Sequence, residues 1–355
     1  MKILLLGEFS ALHKNLQDGL QALGHHAVIA SAGDAWKNID RDIDLNFPAR
    51  TIFGKIRRRF RPLEKLHEMS GFDVVQLMNP FLFYEKFFPS RLFINQIAKR
   101  NKTFFMLAAG DDAYFWRYGK PAMKYGPFED YLKYDIKADR FFMEDDAALR
   151  FNNYIINKSR GIIPIMYEYA KSYEGQSKLR NVIPIPINTT KIKYKENKPG
   201  AKMVIFHGLN RYGFKGTRHV ENAFELLAKK YPNDLELIID GKKPLDEYLN
   251  LMERVNVVID QTSSYSCGVN AVYALAMGKV VMGGAEPESL ISLGVKSTPV
   301  INITPDAATI VSNVQMLLEQ KKEFERLGFE SRLFAEKVHG HINIAGKYIE
   351  AWGEQ

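Results

Sequence analysis

The sequence has little of what would cross-link a protein or anchor it in a membrane. Cys267 is the one cysteine among 355 residues, so no internal disulfide and no cysteine-only metal site can form. The apolar runs, such as Ile3 to Leu6, fall far short of the roughly 18 residues that cross a bilayer. The first apolar run ends at Gly7, too early for a secretory signal. We therefore expect a cytoplasmic protein without a membrane span.

The signature loops of common nucleotide-dependent enzymes are also missing. The turn after the first predicted strand reads Gly-Glu-Phe-Ser-Ala, with a single glycine where a dinucleotide cofactor site has three. No Gly-Lys-Ser or Gly-Lys-Thr ends a P-loop spacing, and none of the histidines has a carboxylate or cysteine at a metal-ligand spacing. The sequence thus argues against a dehydrogenase and a P-loop ATPase, and we expect neither a cofactor nor a metal.

What is present is the composition of an ordinary globular protein. Hydrophobic residues make up 46% and charged residues 25%, and the length gives roughly two domains at about 150 residues each. The 49 Lys and Arg residues outnumber the 41 Asp and Glu residues, so the formal net charge is +8. This excess predicts attraction to an anion: a nucleic acid, phospholipid headgroups or a phosphorylated substrate.

The densest basic segment spans residues 55–61. Its cations are Lys55, Arg57, Arg58, Arg59 and Arg61. Two interpretations stay open, a solvated loop or helix face and a contact with a membrane surface or another polyanion. Phe53, Ile56 and Phe60 lie among the cations and are compatible with the second interpretation. No nucleic-acid-binding motif accompanies them, and we expect no nucleic-acid partner.

The chain alternates strand-like and helix-like segments. Lys2 to Leu6 is a continuous apolar run, leucines at helical spacing follow it, and His26 to Ala30 resumes a strand. This βαβ unit favours a parallel sheet with helices on its faces. The alternation restarts at Met203, after a polar, Lys-rich stretch over 188–200.

We therefore predict an α/β protein with two Rossmann-like domains that face each other across a central cleft. The first domain is predicted over 1–190 and the second over 200–338. The remaining segment, 339–355, contains a helix that could cross back onto the first domain.

Two loops in the second half carry residue types that bind a diphosphate. The first, 207–217, follows a buried strand and holds Arg211 and Lys215 among glycines, which let the backbone approach while the cations meet the phosphates. The second, 260–268, leads into a short helix whose N-terminus offers N–H groups and a positive dipole end. Considered alone, the first loop is also compatible with an exposed basic loop, and the second is compatible with a turn that caps a helix.

The order of these elements resembles the C-terminal domain of GT-B glycosyltransferases, most closely glycosyltransferase family 4. The resemblance rests on a strand followed by Gly, Arg211 and Lys215-Gly, then on Gly268 leading into Tyr-Ala-Leu-Ala-Met-Gly-Lys-Val-Val at 273–281, and it covers roughly 203–284. It implies a GT-B fold and transfer of a sugar from a UDP- or GDP-linked donor, with retention at the anomeric carbon and no required metal.

The resemblance also assigns donor-binding residues. Arg211 and Lys215 match the cationic pair that binds the donor diphosphate. The backbone amides that approach the donor belong to Gly268, Val269 and Asn270. Tyr265 and Tyr273 stand where the family has two glutamates, the second of which holds the donor ribose. A phenol can hydrogen-bond a hydroxyl but cannot accept in the bidentate manner of a carboxylate.

In the first half, Asp111 and Asp112 follow a predicted strand, about where the family keeps a His-Asp that contacts sugar or acceptor. As catalytic residues, these carboxylates could orient an acceptor hydroxyl or stabilise oxocarbenium-like charge, and the alternative is a helix cap. Gly7, in the first βα turn, is expected to let the donor phosphates or the acceptor approach, or else simply to form a tight turn.

The sequence thus favours a glycosyltransferase in the assembly of a bacterial-type polysaccharide or glycoconjugate. Its partners would be a nucleotide sugar and a saccharide or lipid-linked acceptor, and the basic segment could hold it peripherally at the inner face of a membrane. Two alternatives remain. One is a nucleotide-sugar epimerase of the same fold, and the other is a non-catalytic GT-B scaffold, which the two tyrosines motivate.

Overall fold

The structure is a computed structural model of the chain and describes residues 1–34, 37–127, 129–130, 143–209, 212–241 and 245–354. The chain divides into two compact units. Unit 1 comprises Met1–Ala122, Phe141–Asn188 and His341–Gln355, and unit 2 comprises Met123–Arg140 and Thr189–Gly340. The segment Met123–Arg140 therefore belongs to unit 2, although in sequence it lies within the range predicted for the first domain.

Within the described residues, unit 1 contains a sheet of six parallel strands in the order β3-β2-β1-β4-β5-β6. The strands are β1 (Lys2–Leu6), β2 (His26–Ser31), β3 (Ile43–Asp44), β4 (Val74–Leu77), β5 (Thr103–Ala108) and β6 (Gly161–Pro164). Most of their residues are buried, as expected of continuous apolar runs that are covered on both faces. This strand order is that of the Rossmann fold.

Helices cover this sheet. They are α1 (Leu12–Ala22), α2 (Ile52–Glu64), α3 (Ser90–Arg100), α4 (Asp146–Lys158) and α5 (Tyr167–Ser172). The basic segment of the sequence lies on α2, which begins where Thr51 Oγ1 accepts a hydrogen bond from Gly54 N at 3.0 Å. Phe60 and Leu63 attach α2 to the core, whereas its first turn extends into solvent.

Unit 2 contains, in its described part, a sheet of five parallel strands in the order β11-β10-β9-β7-β8. The strands are β7 (Met203–Gly208), β8 (Leu235–Asp240), β9 (Val257–Ile259), β10 (Val280–Gly283) and β11 (Ile301–Asn302). The helices are α6 (Thr217–Lys230), α7 (Leu245–Arg254), α8 (Val269–Ala276), α9 (Pro287–Leu293), α10 (Ala307–Glu319) and α11 (Phe324–His339). The prediction of two parallel-sheet α/β domains is confirmed.

The last helix, α12 (His341–Gly353), belongs to unit 1, where it packs on α1. Gly19 of α1 lies so close to the carbonyl oxygen of His341 that a side chain at this position would clash with it. The indole N–H of Trp352 donates to Gln76 Oε1 of β4 at 3.1 Å. The final segment of the chain therefore closes the core of the first unit.

Each sheet contains one point at which the strand order reverses. In unit 1, β1 lies between β2 and β4, and in unit 2, β7 lies between β8 and β9. Parallel α/β sheets bind ligands outside the carboxyl ends of the strands at such points. The loops that follow β1, β4, β7 and β9 are therefore candidates for a ligand-binding site.

The contact between α1 and α12 can be tested by substituting two glycines. Gly19→Ala should lower the free energy of unfolding by about 1–3 kcal/mol, because the added methyl group overpacks against the His341 carbonyl. Gly346→Ala on α12 is the matched control: a Cβ there meets no atom within 4 Å, so this variant should keep or gain stability. Equal urea midpoints for the two variants would contradict the close packing of Gly19 against the His341 carbonyl.

Candidate active site

The candidate site lies in unit 2, where β7 and β9 end side by side. Lys215 comes from the loop after β7, and Gly268 comes from the loop after β9. Both contact the carboxylate of Asp260, which directly follows β9: Lys215 Nζ lies 3.2 Å from Oδ1, and Gly268 N donates to Oδ2 at 2.8 Å. The structure thus brings together two of the predicted donor-binding residues.

Asp260 organises these two loops, and the sequence analysis did not single it out. Its side chain is 1% exposed and that of Lys215 is 19% exposed, so the ion pair is largely withdrawn from water. The carbonyl of Lys215 also accepts a hydrogen bond from Thr262 N at 3.0 Å. The available signal was an acidic residue directly after a buried strand, in a loop that otherwise holds small uncharged side chains.

A buried histidine fixes the start of the helix behind Lys215. His207 Nδ1 lies 2.9 Å from the carbonyl oxygen of Ile259, and its Nε2 lies 3.0 Å from Thr217 Oγ1. Burial, and secondarily the charge of Lys215, lower the pKa of His207 to about 4, so the ring is neutral at pH 7. Since a carbonyl only accepts, Nδ1–H is the donor and Nε2 accepts from the Thr217 hydroxyl.

Helix α8 directs its N-terminus toward this point. Gly268 is the N-cap, and the N–H groups of Val269 and Asn270 in the first turn have no intrahelical acceptor. Asn270 Oδ1 accepts from the hydroxyl of Tyr248 at 2.9 Å, whereas its Nδ2 is buried without a partner in the described part of the chain. A buried donor that lacks an acceptor is costly, and a bound ligand would satisfy it.

Glycine is needed at two places around this site. A Cβ at Gly268 would lie 3.1 Å from Asp260 Oδ2, which is tight against a carboxylate that already accepts two hydrogen bonds. Gly216 has φ of +66°, and a Cβ there would clash with Thr262. Gly268 thus lets its own backbone approach the Asp260 carboxylate, and Gly216 lets the loop after β7 approach Thr262.

Tyr265 has a packing role within unit 2. It is 5% exposed, its hydroxyl accepts a hydrogen bond from Lys124 N at 3.1 Å, and its ring centroid lies 5.1 Å from that of Tyr125. Tyr125 in turn donates to Glu286 Oε1 at 2.6 Å. Tyr265 therefore attaches the segment around Lys124 to the loop after β9.

Tyr273 lies three residues after Asn270 on α8, on the same helix face, and is partly exposed.

The other predicted site residues lie elsewhere or outside the described part. Arg211 is not among the described residues. Asp111, Asp112 and Gly7 lie in unit 1. Gly7 directly follows β1 with φ of +96°, and a side chain there would clash with Leu82.

Asp112 is fully buried, and both its carboxylate oxygens are engaged. Oδ1 accepts from Phe115 N at 2.7 Å, and Oδ2 accepts from the hydroxyl of Tyr173 at 2.6 Å. Burial raises the pKa of Asp112 to about 6. This geometry matches the alternative role of a helix cap and argues against contact with a substrate. Asp111, its neighbour, is partly exposed.

Among the described residues, no cluster of three His, Cys, Asp or Glu side chains could hold a metal ion. The described helices also include none that is long and apolar enough to span a bilayer.

Two α/β domains, each built on a parallel sheet of this kind, are the architecture of the GT-B fold class. No protein-family model matches the sequence, and no curated protein matches it either. Solved structures do match: Anabaena HepE in complex with UDP and glucose aligns over 100% of both chains, with a TM-score of 0.63 and 13% identity. Sucrose-phosphate synthase from Thermosynechococcus elongatus aligns over 99% of this chain and 98% of its own, with a TM-score of 0.62 and 14% identity.

A third similar structure is an epimerase. UDP-GlcNAc 2-epimerase from Neisseria meningitidis, bound to UDP-GlcNAc, aligns over 99% of both chains with a TM-score of 0.55 and 14% identity. At such identities, the likeness establishes the fold.

The burial of His207 predicts a pH dependence of stability. Its pKa falls from an ordinary 6.5 to about 4 on folding, so the unfolded chain binds the extra proton between these values and stability is lost as the pH falls through this window. From pH 7 to pH 5, wild type should lose about 2 kcal/mol more than His207→Asn. The measurement is urea unfolding at both pH values, with the exposed His67→Asn as control. Parallel losses in wild type and His207→Asn would refute the assignment.

Proposed function

We propose that the protein is a glycosyltransferase that moves a sugar from a nucleotide-diphosphate sugar to an acceptor hydroxyl. The observation that carries the proposal is the convergence of the Lys215 ammonium, the α8 N-terminus and the unpaired amide of Asn270 at the strand-order reversal of unit 2. Such a site suits a diphosphate, because it combines a cation with backbone donors. HepE, which has a similar fold, has been crystallised with UDP and with UDP-glucose.

In the proposed reaction, the acceptor hydroxyl oxygen attacks C1 of the donor sugar on the face from which the nucleoside diphosphate leaves. The bond between C1 and the phosphate oxygen breaks, and the hydroxyl proton passes to the departing phosphate. Lys215 and the N–H groups of α8 would stabilise the negative charge that develops on the departing diphosphate. Asp260 acts as a positioning residue, since it holds both the ammonium and Gly268 before any ligand arrives. Donors that are fixed in advance cost no reorganisation during the reaction, and this is the main source of their effect.

The remaining assignments extend the resemblance. We propose that Arg211 adds a second cation for the diphosphate, that Tyr273 hydrogen-bonds the donor ribose, and that Asp111 orients the acceptor. The hypothesis also includes a UDP or GDP donor, retention at the anomeric carbon and independence of metals. It further includes a role in polysaccharide or glycoconjugate assembly. We propose a structural role for Tyr265, which supports the loop 260–268 and does not bind the donor, since its hydroxyl already accepts a hydrogen bond from Lys124 N.

The test of the donor site is Lys215→Ala, with isothermal calorimetry of UDP and GDP. Affinity for the preferred nucleotide should fall at least ten-fold, because the side-chain cation at the diphosphate is lost. Lys229→Ala, an exposed lysine of α6, is the matched control and should bind like wild type.

Lys215→Ala also leaves Asp260 buried without its cation, which by itself destabilises the protein. The double variant Lys215→Met with Asp260→Asn removes both charges and should fold with a thermal midpoint near that of wild type. Wild-type nucleotide affinity in this folded double variant would overturn the assignment of the diphosphate site.

An epimerase is the second candidate, because an epimerase also shares the fold. The two activities differ in their need for an acceptor. A glycosyltransferase releases stoichiometric UDP or GDP only when an acceptor is supplied, whereas an epimerase interconverts its nucleotide sugar without one. Chromatography of the nucleotide sugars after incubation without acceptor separates the two candidates.

We also propose that the start of α2 contacts an anionic membrane surface. Ile52, Phe53 and Ile56 are 79%, 73% and 51% exposed. They stand beside the cations of the same helix, and Arg57 lies over the ring of Phe47 at 4.5 Å. Exposed apolar side chains flanked by cations are typical of a helix that lies in the interface of an anionic bilayer. This contact would bring the protein close to a lipid-linked acceptor.

Vesicle binding tests this surface. The double variant Ile52→Ser with Phe53→Ser should lose at least five-fold in co-sedimentation with phosphatidylglycerol vesicles, because it removes the apolar contacts and keeps the cations. Ile291→Ser in unit 2, which replaces a side chain that is 78% exposed, serves as control. If the double variant co-sediments as wild type does, α2 is a solvated surface helix.

A further inference from the structure

Unit 1 has a pocket of its own, which the donor site does not use. It has a volume of about 730 Å³ and lies at the carboxyl ends of β1 and β2, where Gly7, Glu8 and Ser31 line it. Helix α2 forms the opposite wall through Lys55, Arg58 and Arg59. The volume falls within the range of pockets that hold small ligands.

Of the three cations of this wall, one has a carboxylate within ion-pair distance in the described part of the chain. Arg59 lies 3.5 Å from Glu85, and Asp34, which also lines the pocket, pairs with Lys37 at 2.7 Å. In the described part of the chain, Lys55 and Arg58 have no carboxylate within ion-pair distance. Two positive charges therefore face the pocket uncompensated.

Glu8 is the carboxyl group that could oppose them, but the fold weakens its charge. It is 2% exposed, and it accepts hydrogen bonds from Lys14 N at 2.9 Å and His13 N at 3.3 Å, so its place is the start of α1. Desolvation raises the pKa of Glu8 to about 7, so the group is only partly ionised at neutral pH. Glu8 is thus held by backbone N–H groups at the start of α1, and Lys55 and Arg58 remain the pocket cations without a carboxylate partner in the described part of the chain.

We infer that this pocket binds an anionic saccharide, with its phosphate or carboxylate group held by Lys55 and Arg58. The inference rests on the proposed function and names the acceptor class for it. The two cations stand three residues apart on one face of α2, so both can reach the same anion. Ser31 also lines the pocket; its Oγ accepts a hydrogen bond from Gly33 N at 3.1 Å, and its hydroxyl proton can be donated to a sugar oxygen.

The experiment is calorimetry on the full chain with four probes: glucose 1-phosphate, glucuronate, glucose and inorganic phosphate. At least one of the two anionic sugars should bind ten-fold or more tightly than glucose and than inorganic phosphate. The comparison of glucose 1-phosphate with glucuronate shows whether the pocket prefers a phosphate or a carboxylate group. Equal binding of glucose would overturn the inference, as would equal binding of inorganic phosphate or the absence of any binding.

Variants then locate the site. Lys55→Ala and Arg58→Ala should each weaken binding of the anionic sugar about ten-fold, because each removes one of the unpaired cations. Lys99→Ala, which replaces an exposed lysine of α3, is the charge-matched control and should change the affinity for the anionic sugar less than two-fold. Undiminished binding in both pocket variants would place the sugar elsewhere and overturn the inference.

The same variants separate this inference from the proposed function. Binding of UDP or GDP should be unchanged in Arg58→Ala, because the donor site lies in the other unit. Loss of the anionic sugar alone, with the nucleotide retained, supports both assignments. If wild type binds a nucleotide but no anionic sugar, only the acceptor class fails. If it binds the sugar but no nucleotide, the proposed function fails while the pocket stands.

Discussion

A single buried carboxylate determines the geometry of the candidate active site. Asp260 needs partners because an ionised group out of water is costly, and the fold supplies two of them, the ammonium of Lys215 and the N–H of Gly268. The loop after β7 and the start of α8 are thereby fixed against each other. His207 and Thr217 add a neutral link behind them, so the position of Lys215 is set before any ligand binds.

The part of the fold that was predictable follows from local pattern. Strand β1 has its predicted limits and β2 extends one residue beyond them, because buried parallel strands are continuous apolar runs. Helix α1 forms where leucines repeat at helical spacing. The proximity of Lys215 to Gly268 could also be predicted from the sequence, since both loops follow strand ends at the same edge of a parallel sheet.

What the sequence could not supply depends on contacts between distant residues. Asp112 is enclosed through Tyr173, 61 positions further along, and Tyr265 meets Lys124 across 141 positions. No local pattern encodes such partners. Likewise, a carboxyl group after β1 reads as exposed, and only the packed structure shows that Glu8 is buried and that its pKa is raised.

The two units present opposite electrostatic arrangements at corresponding sheet edges. In unit 2, the lysine is already paired with Asp260, so an incoming anion gains mainly from backbone donors and from a cation whose position is fixed. In unit 1, Lys55 and Arg58 repel each other on one helix face, an arrangement that by itself destabilises a helix by a few tenths of a kcal/mol. An anion in the pocket would remove that repulsion. A bound acceptor would therefore stabilise α2 as well as be held by it, and this couples acceptor binding to the helix that we propose contacts the membrane.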